Sequence, residues 1–205
     1  MADLVTIVDY GVGNIGSILN MIDKVGGRAK ATGQLDELLA ADKILLPGVG
    51  SFDNAMARLS SLGLVDVLKQ RASEGATVFG ICLGMQLLAE SSEEGQLKGL
   101  GLIPGRVRRF SFDGENRNLR IPHMGWNRVA AAREHALCRR LDEARFYFVH
   151  SYYFDCADPA DVLLRTSYGN SFASGVNREN IVGVQFHPEK SHRFGMQLLS
   201  NFLEL

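Results

Sequence analysis

The chain has 205 residues, 46% of them hydrophobic and 22% charged, with a formal net charge of −1. Such a composition builds a globular fold with a substantial core and excludes intrinsic disorder. So small a net charge gives no electrostatic footprint for nucleic acid or an anionic membrane, and the apolar runs are strand-sized, far short of the ~20 residues a membrane span needs.

Residues 1–5 run directly into a predicted strand, with no basic segment or cleavage site of a secretory signal. The first strand, over residues 4–8, is β-branched and apolar and ends at Asp9-Tyr10-Gly11. A helix follows over 15–25, with Ile15, Ile18, Leu19, Ile22 and Val25 at helical spacing, and it stops at Gly26-Gly27. Residues 28–32 read as a second strand, 35–40 as a short helix and 43–46 as a third strand ending at Pro47-Gly48-Val49-Gly50. One helix is expected through 55–71, then a strand over 76–79 and a helix over 85–90. This alternation predicts a three-layer α/β/α fold, with a central twisted, mostly parallel mixed sheet.

From residue 101 to 176 the segments become shorter and more aromatic. Residues 106–112, 146–149, 162–165 and 171–176 read as further, partly antiparallel strands, and 113–118 as a polar loop. A last core strand over 181–186 delivers His187, and a closing helix spans 194–203. With no repeat, low-complexity tract or linker, a single domain over residues 1–205 is expected.

Gly80-Ile81-Cys82-Leu83-Gly84 joins the fourth strand to its helix. This G-x-C-x-G pattern is the thiol counterpart of a nucleophile elbow, where a strained turn lifts one reactive side chain and a Cβ on either flank would clash. A helix N-terminus at that point favours the thiolate. A cysteine taken at random is more often a small buried apolar residue, but the framing glycines argue against that here. The thiol needs a base, and His187-Pro188-Glu189 supplies one from the far end of the chain. In an extended segment His187 and Glu189 point to the same side, so Glu189 can hold the imidazole in the tautomer that faces Cys82. Gly48-Val49-Gly50 and the Leu83 N–H are the expected oxyanion donors, against the plainer reading of a strand-to-helix turn.

The remaining motifs are weaker. Gly11-x-Gly13-x-x-Gly16 matches the dinucleotide fingerprint as a string but lacks the acid ~20 residues on. Cys138 and Cys156 lack elbow glycines and base candidates and read as structural. Three cysteines without close spacing exclude a disulfide framework or a zinc cluster and fit a cytoplasmic setting. His123, His135 and His192 have no metal-ligand spacing and read as surface or interface residues. Phe146-Tyr147-Phe148 reads as core. Trp126 falls in a loop-like stretch, where it is either buried or an anchor for a partner protein.

Gly80-Ile81-Cys82-Leu83-Gly84-Met85-Gln86 and Gln185-Phe186-His187-Pro188-Glu189-Lys190-Ser191 resemble the signatures of triad (class I) glutamine amidotransferases. Asp9-Tyr10-Gly11-Val12-Gly13-Asn14, Pro47-Gly48-Val49-Gly50-Ser51-Phe52 and His123-Met124-Gly125-Trp126-Asn127 narrow the resemblance to the glutaminase subunits of imidazole glycerol phosphate synthase. The resemblance implies attack by Cys82 on the side-chain amide of glutamine, with His187 and Glu189 completing the triad. The oxyanion would be held by Leu83 and the Val49–Gly50 backbone. Glutamine would be bound by Gly50, Gln86 and His150-Ser151-Tyr152, with no cofactor and no metal. Ammonia would pass to a separate cyclase subunit with a (β/α)8 barrel, which makes imidazole glycerol phosphate and aminoimidazole carboxamide ribonucleotide in histidine biosynthesis. Asn14, His123, Met124, Trp126, Tyr147 and Lys190 would contact that subunit, whose binding would complete the oxyanion hole by flipping a peptide near residues 48–50. The competing readings are a glutaminase serving another synthase (the vitamin B6 type), a cysteine peptidase or hydrolase on the same elbow, and a nucleotide-binding module.

Overall fold

The computed structural model describes residues 4–205; the part of the N-terminal reading that falls on residues 1–3 lies outside the described residues. The first half alternates strand and helix: β1 (Leu4–Val8), α1 (Ile15–Lys24), β2 (Arg28–Thr32), α2 (Leu35–Leu39), β3 (Lys43–Gly48), α3 (Phe52–Ser61), α4 (Leu64–Ser73), β4 (Thr77–Cys82) and α5 (Leu83–Leu87). The second half adds β5 (Ser91–Ser92), β6 (Gly105–Arg109), β7 (His123–Arg128), β8 (Ala130–Ala131), β9 (Arg145–His150), β10 (Tyr152–Cys156), β11 (Val162–Tyr168), β12 (Asn170–Arg178), β13 (Ile181–Val184) and α6 (His192–Leu203).

The central sheet is mixed and runs β2-β1-β3-β4-β13-β12-β10-β6-β5, with β11 and β8 attached beside β12. Its first five strands are parallel. The inner four, β1, β3, β4 and β13, are largely apolar without alternation because both faces are covered, whereas β2 at the edge carries Arg28 and Lys30 and is mostly open. In β3, Ile44 and Leu46 join the core beneath α3, α4 and α5, whereas Leu45 joins Phe79 and Ile81 in the core beneath α1 and α6. Helices therefore cover the sheet on both sides, as expected. Among the described residues no helix is long and apolar enough to cross a membrane.

Four local readings need correction. The helix expected over 55–71 is two, because Gly63 at φ +70° ends α3 in the left-handed conformation and starts α4. The helix expected over 85–90 is α5, which spans only Leu83–Leu87; the Leu88 and Ala89 carbonyls are taken instead by the amides of Gly101, Leu102 and Ile103. The last core strand ends at Val184, two residues early, and Pro188–Lys190 forms a 3-10 turn where extended chain was expected. The stretch around Trp126, read as loop-like, belongs to β7, which pairs antiparallel with β9 in a separate two-stranded sheet.

Candidate active site

β4 ends at Cys82, which holds φ +55° and ψ −112°. A non-glycine residue there is strained by about 1–3 kcal/mol. The turn closes because its flanks carry no side chain. A Cβ on Gly80 would lie 2.6 Å from the Gly84 carbonyl oxygen, and one on Gly84 would run into the Leu46 carbonyl. Gly48 packs on the same turn, where a Cβ would stand 2.8 Å from the Gly84 nitrogen.

β13 lies parallel to β4, so the chain leaving it reaches the same sheet edge. There His187 N–H donates to the Tyr147 carbonyl at 2.9 Å. Ser191 Oγ donates to the His187 carbonyl at 2.6 Å and accepts from Tyr147 N–H at 3.0 Å. The 3-10 turn brings Glu189 Oε1 to 2.8 Å from His187 Nδ1, with the two side chains 2% and 3% exposed. Sequence reasoning placed the two on one side of an extended segment; the pairing exists, but a turn makes it. Nε2 is buried and makes no formed hydrogen bond, which leaves it to the neighbouring thiol. Burial alone would lower the imidazole pKa, but Cys82 and Glu189 together outweigh it and raise His187 to about 9.

One cavity of about 370 Å³ brings together Val49, Gly50, Cys82, Leu83, Gln86, His150, Ser151, Tyr152 and His187. Every expected nucleophile, base, oxyanion and glutamine-binding residue thus lines one space, with Glu189 behind His187. Gln86 Nε2 donates to the Tyr152 carbonyl at 3.2 Å and to Gln185 Oε1 at 2.9 Å, and Gln185 Nε2 stands 3.9 Å from Cys82 Sγ. On the opposite wall Gly50 takes φ +95° in open space. Tyr10, buried with its hydroxyl beside Gly48, donates that hydroxyl to the Pro47 carbonyl at 2.7 Å.

The cavity also exposes a carboxylate that sequence reasoning missed. Glu94 lines it, and Oε2 accepts from Phe52 N–H at 2.9 Å at the start of α3. In the string Ser92-Glu93-Glu94 no spacing distinguishes it from a solvated acid. Gln185 was quoted within the last motif but given no role.

The pleat of β7 sorts the residues expected at an interface. Met124 and Trp126 face outward, 62% and 43% exposed, while His123 turns inward and is only 3% exposed. The surface or interface reading of His123 is therefore wrong for its side chain. Trp126 stacks on exposed His192 with centroids 5.5 Å apart and meets the Tyr147 ring edge-on at 6.2 Å. Lys190 Nζ lies 5.8 Å from the Tyr147 centroid, and Asn14 is exposed at the start of α1. Cys138 and Cys156 are free and half-buried, away from the cavity. Among the described residues no group of three or more His, Cys, Asp or Glu is placed to hold a metal ion.

The sequence profile of the family described as "Glutamine amidotransferase class-I" matches residues 6–205, and the chain belongs to that family. A solved glutamine amidotransferase structure shares the fold, with a TM-score of 0.71 at 20% identity over 95% of this chain and 98% of its own. Within the family, the imidazole glycerol phosphate synthase subunit HisH 2 of Methanococcus maripaludis is 50% identical over 98% of this chain and 99% of its own. That of Pseudomonas aeruginosa is 49% identical over 98% and 100%. The chain thus falls among the HisH subunits.

Proposed function

We propose that this chain is the glutaminase subunit of an imidazole glycerol phosphate synthase. It hydrolyses glutamine to glutamate and ammonia and hands the ammonia to a cyclase subunit with a (β/α)8 barrel, in a cytoplasmic heterodimer serving histidine biosynthesis. The observation that carries this reading is one cavity in which a cysteine on a strained elbow faces an imidazole backed by a buried carboxylate.

Cys82 gives its proton to His187 Nε2, whose raised pKa suits the ring to hold it. The sulfur attacks the amide carbon of glutamine and forms a C–S bond. The oxyanion is received by the Leu83 N–H, first in α5 and without an intrahelical partner, and by the Val49–Gly50 backbone. His187 gives its proton to the departing nitrogen as the C–N bond breaks, releasing ammonia. It then takes a proton from water, whose oxygen displaces sulfur from the thioester to yield glutamate. Glu189 holds the ring with Nε2 toward the sulfur. Gln86, His150, Ser151 and Tyr152 shape the wall around the side-chain amide, and Glu94, with Oε1 unclaimed, suits the α-ammonium of the amino acid. Met124, Trp126, Tyr147, Lys190 and Asn14 form the face for the cyclase, and the mobile hinge for completing the oxyanion hole is Gly50.

The test is Cys82→Ala in complex with the barrel subunit. Glutamine-dependent synthesis should vanish while synthesis from added ammonium salts persists. Loss of both together would overturn the division of labour, and peptide cleavage without ammonia release would favour a hydrolase.

A further inference from the structure

Behind the cavity wall, β7 and β9 hold two buried imidazoles against each other. His123 Nδ1 lies 2.9 Å from His150 Nε2, His150 Nδ1 lies 2.7 Å from the Tyr152 carbonyl oxygen, and Asn127 Nδ2 lies 3.2 Å from His123 Nε2. These contacts admit one arrangement of protons. A carbonyl only accepts, so His150 Nδ1 carries the hydrogen. A neutral ring then leaves Nε2 as an acceptor, to which His123 Nδ1 donates. His123 Nε2 in turn accepts from the Asn127 amide. That amide cannot be flipped, because Nδ2 also donates to the Ser167 carbonyl at 3.0 Å and Oδ1 accepts from Arg128 N–H at 2.8 Å. Burial keeps both rings neutral, lowering His150 to about 3 and His123 to about 4.

The path does not stop at Tyr152. Its carbonyl is also the acceptor for Gln86 Nε2, which reaches the thiol through Gln185. A continuous run of polar contacts therefore joins β7 to Cys82. His123 itself is clamped between the rings of Tyr168 and Phe148, with centroids at 4.1 Å and 4.8 Å.

The geometry points to His123 as a positioning residue for glutamine: acting through His150, it fixes the Tyr152 carbonyl and so the wall at 150–152 and the Gln86 amide. This rests on the glutaminase reading above. His123 touches no reacting atom. Its work is to leave His150 Nε2 satisfied in one tautomer, since an unpartnered buried nitrogen would release the ring to other rotamers and other proton states.

Two substitutions separate this role from simple packing. His123→Phe keeps the aromatic sandwich and removes both ring nitrogens; His123→Gln loses the sandwich and keeps a donor and an acceptor. In the full complex with the barrel subunit, His123→Phe should raise KM for glutamine about tenfold with kcat within about threefold, and His123→Gln should stay within about threefold of the unsubstituted protein in both. The reverse order, or equal losses, would overturn the positioning role. Should His123→Phe fail to fold, nitrogen-15 spectra of the unsubstituted chain decide instead, its five histidines making assignment tractable. Both His123 and His150 should appear as neutral Nδ1–H tautomers at neutral pH, and an Nε2–H or doubly protonated ring at either position would overturn the inference. No ammonia release by the unsubstituted complex would instead overturn the glutaminase reading, which the spectra do not touch.

Discussion

His187 Nδ1 and Glu189 Oε1 stand 2.8 Å apart in a site from which solvent is almost wholly excluded. The raised value of about 9 for His187, against 6.5 for an ordinary imidazole, has a consequence for stability. A folded-state pKa above the unfolded one means that protonated His187 stabilises the fold fully below about pH 6.5, and that this contribution is lost as pH rises through about 9. Glu189→Gln removes one of the two groups that raise the value. The fall in thermal midpoint between those pH values should therefore be smaller in the variant. Glutamine turnover should also drop by about 10²–10⁴-fold, because an amide no longer enforces the tautomer. Parallel melting curves against pH for the two proteins would show that Glu189 does not hold the imidazolium.

Two glycines near the thiol should respond very differently to alanine. At Gly84 the added methyl meets the Leu46 carbonyl, backbone against backbone with no side chain to yield. Gly84→Ala should cost about 3 kcal/mol or more and abolish activity by spoiling the elbow. At Gly50 nothing lies within 4 Å, and only the φ of +95° opposes a side chain. Gly50→Ala should cost about 1–2 kcal/mol, with its larger effect on stimulation of glutaminase activity by the barrel subunit. Denaturant unfolding of both variants, alongside ammonia release with and without the partner, separates the cases. Similar losses of stability would refute the distinction between collision and backbone strain.

The parallel half of the molecule was legible because its inner strands are buried on both faces: β1 and β3 are largely apolar runs that no surface element would carry. The elbow was legible for a related reason, since only a close backbone approach demands Gly80 and Gly84 in that spacing. β7 was not. It holds Gly125, buries only the His123 side chain, and owes its extended form to pairing with β9, which no local pattern announces. His123 was misjudged with it, because the direction of a side chain is set by the pleat and hence by register. The Gly63 break escaped notice because Leu62 and Leu64 continue the apolar pattern across it. Glu94 enters the site through the loop after β5, a placement set by its bond to Phe52 far back in the chain.

Trp126 offers the sharpest test of the partner face. Its ring is held on one side by His192 and at its edge by Tyr147, leaving 43% of the residue open beside the still more exposed Met124. Large aromatic residues that are pre-ordered in this way bind at little further entropic cost and dominate interface energetics. Trp126→Ala should leave the unfolding free energy of the isolated chain within about 1 kcal/mol, since no core contact is lost. Affinity for the barrel subunit should nevertheless fall by about 30-fold or more, as for a hot-spot aromatic. Titration calorimetry of the two subunits measures the effect directly. Because the side chain lies outside the cavity, glutamine turnover measured at saturating partner should recover. An unchanged dissociation constant would move the interface elsewhere on the surface, and a turnover that fails to recover at saturation would assign Trp126 to activation and not merely to docking.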